Sequence, residues 1–148
     1  MNSSDVALIT PIDVAKVITD ANGNKASRFY DKEALRCFSS WRKNAGELKD
    51  ISIYALSFNQ KEAYPEEFNR ALSDMNVKVF YDTGSHTSGF KNEVMAGLFF
   101  ERCNEVKENI MIKIDLDMKI LKPIDNFLID KAYDEVIVGQ YDEHNAKD

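Results

Sequence analysis

Four short apolar runs, at residues 6–9, 51–57, 77–81 and 110–114, recur along the chain with a helical pattern in each longer gap. In residues 32–48, Leu35, Phe38, Trp41, Ala45 and Leu48 repeat at spacings of three and four, while Lys32, Glu33, Arg36 and Lys43 face outward. Trp41 therefore reads as core. Pro65 opens a second helix, with Glu66 and Glu67 suited to its positive end and Phe68, Ala71, Leu72 and Met75 as its buried stripe. A third helix is expected over 90–106, capped by Thr87 or Ser88, with Phe90, Val94, Leu98, Phe99 and Cys103 packed on a sheet. Strands alternating with helices at this spacing predict βαβ units: an α/β fold with a mainly parallel sheet and helices on both faces.

Punctuation between these elements is uneven. The first strand should stop near Thr10, because Pro11 has no N–H to give to a ladder. Residues 14–31 follow no single period, although Asn22-Gly23-Asn24 marks a turn. Residues 124–128 read as a short connection and 135–139 as a last strand before a polar tail. Tyr30, Tyr54 and Tyr81 read as core aromatics with their hydroxyls at the edge.

The chain has 148 residues, 44% of them hydrophobic, which suits a single domain spanning 1–148. Its net charge is −6, with Lys and Arg scattered among Asp and Glu. Without a basic stripe, nucleic acid is excluded as a partner. A small anionic substrate needs a metal or a few placed cations to offset the local field. No basic segment precedes residues 6–9, and that run is too short for a signal sequence or a membrane span. Cys37 and Cys103 lack metal-ligand spacing and read as buried free thiols, with the cytoplasm as the expected compartment.

The chemistry is concentrated after the fourth run, at Asp115 and Asp117. In an extended chain residues i and i+2 share a face, about 6–7 Å apart at Cα. Their repulsion is then about 2 kcal/mol at an effective dielectric near 20. A hard divalent ion such as Mg²⁺ or Mn²⁺ reverses that sign. The alternation of Ile110, Ile112, Ile114 and Leu116 with Met111, Lys113, Asp115 and Asp117 also fits a half-exposed antiparallel strand. In a parallel α/β sheet a central strand has no solvated face. As part of such a strand, the two acids are expected where it leaves the sheet, at its carboxyl end, which is the ligand crevice of open α/β folds.

Asp115-Leu116-Asp117, set between an apolar strand and Met118-Lys119-Ile120-Leu121-Lys122-Pro123-Ile124, resembles the DxD signature of nucleotide-sugar glycosyltransferases with the GT-A fold. The likeness covers roughly residues 6–140: a first strand ending at a nucleotide pocket, two strand–helix repeats, and a long helix before the motif. It implies that Asp117 coordinates Mn²⁺ or Mg²⁺ bridging a nucleotide diphosphate, and that Asp115 contacts the ribose or shares the metal. Thr10 and Pro11 would then border the base and ribose, and Asp82, which equally suits a turn, would line the same pocket. Lys91, in the first turn of the helix before the motif, would approach the diphosphate or remain an ordinary surface lysine. The implied partners are a nucleotide-diphosphate sugar donor, with a UDP-sugar favoured, and an unknown acceptor.

The resemblance has one departure. Such enzymes continue well past the motif with elements that bind acceptor, whereas about thirty residues follow Asp117 here, with Asp142, Glu143 and His144 as the only chemically useful groups near the end. The acceptor part is expected to be missing, from a donor-binding half or from a minimal member, and no catalytic base is assigned. A truncated sheet would also expose apolar surface for an oligomer or partner subunit. His86 and His144 read as polar surface. Two other classes compete. A sugar-phosphate nucleotidyltransferase wants a glycine-rich basic loop where Thr10-Pro11-Ile12-Asp13-Val14-Ala15-Lys16 stands. A receiver-like regulatory domain would use acids such as Asp13 and Asp82.

Overall fold

The computed structural model describes residues 3–12, 16–19, 25–28, 31–83 and 90–124. Its main elements are β1 (Val6–Ile12), β2 (Lys16–Thr19), β3 (Lys25–Arg28), α1 (Asp31–Asn44), β4 (Ser52–Ser57), α2 (Glu66–Asp74), β5 (Val77–Tyr81), α3 (Phe90–Arg102) and β6 (Ile110–Lys113). Four strands form one sheet in the order β5-β4-β1-β6, and every pairing in it is parallel. The chain steps from β1 through α1 to β4 and through α2 to β5, then returns through α3 to the far side of β1. Right-handed crossovers require opposite faces for opposite directions of travel. The packing agrees: α1 and α2 cover one face and α3 covers the other.

Alternation along the strands supplies both cores. Val6, Leu8 and Ile12 of β1 and Ile53 and Ala55 of β4 meet Phe38, Trp41, Leu48, Phe68 and Leu72. Ala7 and Ile9 of β1 and Tyr54 and Leu56 of β4 meet Ala96 and Phe100 of α3, with Phe80 and Phe99 packed alongside. All seven residues of β1 are buried, so it is the centre of the sheet. Trp41 and Phe38 are fully buried, each contributing about 1.5–3 kcal/mol by its apolar area. The Trp41 indole N–H donates to the Leu48 carbonyl at 2.8 Å, so its one polar atom is satisfied. Arg42 ties α1 to the neighbouring loops, donating to the carbonyls of Lys49, Ile51, Met75 and Asn76.

Several expectations are corrected. β1 does not stop at Thr10 but runs through Pro11 to Ile12, in register with β4 to Ser57. The Ile114 amide donates to the Ile9 carbonyl, so alternation turns Pro11 toward the same side, just past the last residue of β6. A missing N–H is harmless there. Residues 16–19 and 25–28, which follow no clear period, pair as an antiparallel ribbon. Among the described residues β6 pairs only with β1, and the strand expected at 135–139 lies outside them.

On α3, Val94 and Leu98 are exposed; Phe99 packs as expected, but beside Met95, Ala96 and Phe100. Tyr81 is exposed at the end of β5, whereas Tyr54 is core as expected. Of the two free thiols Cys37 is buried and Cys103 only half-buried. The expected strand at 135–139, the turn at 22–24, the caps Thr87 and Ser88, and Tyr30 lie outside the described residues.

Candidate functional site

The strand order reverses at β1, whose next strand lies on one side and β6 on the other. Crevices at such reversals, beyond the carboxyl ends of the strands, are where open α/β sheets bind ligands. Here β1 pairs with β6 only as far as Ile9↔Lys113, and then outruns it by three residues. Between β1 and β4 the carboxyl edge is filled by its own polar groups. The Ser57 and Tyr64 hydroxyls lie 2.6 Å apart, and Tyr64 donates to the Ile12 carbonyl at 3.4 Å. Among the described residues the open flank of β1 is therefore the β6 side.

Asp115 and Asp117 stand on that side, in a different local structure from the extended one expected. After Ile114 the chain turns, and the Met118 amide donates to the Asp115 carbonyl at 3.2 Å. The chain then runs as a strap to Ile124, with Leu116, Ile120 and Ile124 packed on the α1 side of the core. A spacing of four, rather than two, selects the buried residues here, so the alternation that looked like a continuing strand ends at Ile114. Both aspartates are exposed.

A polar row on α1 holds the strap by its backbone. Arg36 donates to the Asp117 carbonyl at 3.3 Å, and the Cys37 thiol lies 3.9 Å from the Asp115 carbonyl. Ser40 accepts from the Ile120 amide at 2.9 Å and donates to the Cys37 carbonyl at 2.8 Å. Asn44 donates to the Ile120 carbonyl at 2.6 Å. Arg36, Ser40 and Asn44 are four residues apart, so they lie along one line of the helix. Further on, Pro123 passes close to Gly46. A Cβ on Gly46 would stand 2.9 Å from the Pro123 Cβ, and its φ of +64° also favours glycine. The backbone carries the attachment, and among the described residues no hydrogen bond or ion pair uses either aspartate's carboxylate.

Electrostatics register the two acids inside the helix. Burial pushes the Cys37 thiol up to about 12, the charges of Asp115 and Asp117 add to the rise, and Arg36 opposes it. Cys37 is thus a neutral thiol and not a nucleophile. Two exposed carboxylates offer hard oxygen donors suited to Mg²⁺ or Mn²⁺, which use one or two carboxylates and take further ligands from phosphate and water. They do not make a closed protein cage: among the described residues no three or more His, Cys, Asp or Glu side chains gather to hold a metal.

The other expected residues are spread along the carboxyl edge. Thr10 is fully buried, its hydroxyl donating to the Pro11 carbonyl at 3.3 Å, and Pro11 is buried with it. Asp82 follows β5, half-buried, with its amide donating to the Ser57 carbonyl at 2.8 Å. Three strand spacings, about 14 Å, separate the axes of β5 and β6, so Asp82 is not brought to Asp115 and Asp117. Lys91 falls in the first turn of α3, and its side chain lies outside the described residues, as do His86, Asp142, Glu143 and His144. A cavity of about 490 Å³ flanks α2 and β5, lined by Asn69, Arg70, Ser73, Val77, Val79 and Tyr81 among others, and includes neither aspartate.

Sequence reasoning missed Ser40 and Asn44 and placed Arg36 only as an outward charge. The available signal was their spacing of four, which a solvated helix face also produces. No family model, curated protein or solved structure matches this chain. No helix among the described residues is long and apolar enough to cross a membrane.

Proposed function

We propose that the chain is a metal-dependent glycosyltransferase of the GT-A class, or the donor-binding portion of one, using a nucleotide-diphosphate sugar. The observation that carries this reading is the Asp115–Asp117 turn. Its carboxylates are exposed, its backbone is anchored, and it lies beyond β6 on the open flank of β1 where the strand order reverses.

In this reading Asp117 would hold Mn²⁺ or Mg²⁺, and Asp115 would share the ion or accept from the ribose. The ion, when bound, supplies Lewis-acid stabilisation of the charge growing on the leaving diphosphate. The phosphates would lie on the β6 side of the carboxyl edge, at the aspartate turn. Thr10 and Pro11 would border the base and ribose, Asp82 would line the far end of the same pocket, and Lys91 would serve the diphosphate. The exposed backbone anchors explain how two like charges are held together before an ion arrives: α1 fixes their main chain, and neither carboxylate is neutralised by a protein partner among the described residues. UDP is the favoured nucleotide, the acceptor is unassigned, and the cytoplasm is the proposed compartment.

Thermal denaturation with Mn²⁺ and UDP, singly and together, tests the reading. The melting temperature should rise most with both present, because each improves the other's binding. A rise with divalent ion alone and none added by UDP would support a receiver-like regulatory domain instead.

A further inference from the structure

The sheet order leaves β5 with β4 on one side and, among the described residues, no strand on the other. The Asp82 amide donates to the Ser57 carbonyl, and Phe80 stands in register with Leu56, so the backbones of Lys78 and Phe80 face β4 as well. Alternation turns the N–H and C=O groups of Val77, Val79 and Tyr81 toward the open edge. Edges of this kind are usually blunted by proline, a bulge or an outward charge. β5 reads Val77-Lys78-Val79-Phe80-Tyr81, without proline, and pairs with β4 in unbroken register. Its one charge, Lys78, is drawn aside on the α3 face, 2.7 Å from Glu105 and 4.8 Å above the Phe80 ring.

The side chains of the same three outward positions stand on the α2 face. Val77 and Val79 pack on the core there, and with the exposed Tyr81 they line the cavity of about 490 Å³ beside that helix. Among the charges lining it, Glu66 and Arg70 pair with each other, which leaves Lys61 toward the carboxyl end and Asp74 at the amino end. A strand added at this edge would bond to the three outward backbone positions and set alternate side chains beside the cavity. β5 itself fits. Paired antiparallel about Val79, a second β5 sets Val79 against Val79 and Val77 against Tyr81, and these become the hydrogen-bonded pairs of the ladder. Lys78 then falls opposite Phe80 and not opposite the second Lys78, so no like charges meet. β-Branched and aromatic side chains face each other across the seam, and the Lys61 end of each cavity meets the Asp74 end of the other.

We propose that the open edge of β5, with the cavity beside it, binds a second copy of this chain, the two strands running antiparallel across a two-fold axis at Val79. The two four-stranded sheets become continuous, and the outward N–H and C=O groups of Val77, Val79 and Tyr81 all gain partners. An antiparallel seam points the two carboxyl edges in opposite directions. β6 lies on the far side of each sheet from β5, so both aspartate turns stay open. The inference stands apart from the nucleotide-sugar reading, because none of the seam residues belongs to that site.

Sedimentation velocity of the full chain, from low to high micromolar concentration, tests the proposal. The parent should pass from a mass near 16.9 kDa toward twice that value. Val79→Pro should move this transition at least about tenfold higher in concentration, because each chain loses a seam donor. It should keep the parallel sheet, as the lost N–H faces away from β4. If that variant does not fold, crosslinking decides. Val79→Cys, combined with Cys103→Ser, should form a covalent dimer under mild oxidation, since facing residues of a hydrogen-bonded pair lie about 5.5 Å apart at Cα. Lys78→Cys in the same background should not, because the register sets the two Lys78 positions diagonally apart. A parent that stays monomeric throughout would overturn the proposal and leave the edge to an extended segment of another protein. A dimer that Val79→Pro leaves at full strength, or equal crosslinking of the two cysteine variants, would overturn it too.

Discussion

The two ends of the parallel sheet both carry acids, and they use them in opposite ways. At the amino end Glu108 precedes β6, and its carboxylate is taken up: the Tyr54 hydroxyl lies 3.0 and 3.1 Å from its two oxygens, and the Lys107 amide donates to it at 3.1 Å. Burial raises the Glu108 carboxyl, but the bonds from Ser52, its own backbone, Tyr54 and Lys107 outweigh it and hold the group below the usual range. At the carboxyl end, Asp115 and Asp117 are held by their main-chain carbonyls instead. An acid bonded through its carboxylate fixes the fold, while one bonded through its backbone keeps its charge for something that binds. That difference, more than the DxD spacing, is what favours the carboxyl end in the proposed reading.

The sharpest way to break the comparison is to remove charge at the carboxyl end. Asp117→Asn should lower Mn²⁺-dependent UDP affinity by at least about a hundredfold, beyond the usual effect of a group supporting a metal ligand. Its melting temperature should stay close to the parent's, because only the Asp117 carbonyl is used structurally. Equal losses of binding and stability would mean that the carboxylate, like that of Glu108, belongs to the fold.

Ser40→Ala probes the anchor and not the charge. Ser40 is buried, and its loss strands the Ile120 amide, which should lower stability by about 1–3 kcal/mol in denaturant titrations. Mn²⁺-dependent binding should weaken too, as the strap loosens under the turn. Retention of full affinity in a destabilised Ser40→Ala would show that the clamp does not position the acids.

At the amino end, Tyr54→Phe should reduce stability by about 1 kcal/mol near neutral pH and leave ligand binding unchanged. The acid side of its stability profile carries the sign. A depressed folded pKa contributes stability above the unfolded value, near 4.3, and loses it as pH falls through the folded value. Without the Tyr54 bond that loss should be shallower. An unchanged slope would remove Tyr54 from the account of Glu108.

The smallest effect concerns Cys37. Its folded pKa is raised to about 12, so the unfolded chain releases the thiol proton first as pH climbs. The stabilising contribution is whole below the unfolded value of about 8.5 and drains away toward the folded one. Iodoacetamide should modify native Cys37 far more slowly than the unfolded thiol at pH 9. Rapid modification of the native thiol would contradict its burial beneath the turn.

The strand–helix cadence was legible because each apolar run is long enough to have its own period, and the faces of α1 and α2 follow directly from spacing. Places decided by distant partners were not. Pro11 looks like a strand end until β6 is seen to finish beside Ile9. Leu116 and Ile120 continue an apolar alternation that reads as strand, yet the side chains of Arg36, Ser40 and Asn44 bond this backbone as a strap. The β2–β3 ribbon has its Asn-Gly signal at residues 22–23, but Lys25-Ala26-Ser27-Arg28 carries too little apolar character to reveal a strand. Asp115 and Asp117 stand out in the sequence as a candidate pair; the means by which their backbone is held does not.

The most direct test is a calorimetric titration of the parent chain with UDP, and with GDP as the comparison, in Mn²⁺ and then in chelator. Saturable binding of one nucleotide, strengthened by Mn²⁺, is the predicted result and would also name the base. Binding of neither nucleotide, or binding indifferent to the ion, would contradict the account and return Asp115 and Asp117 to the surface.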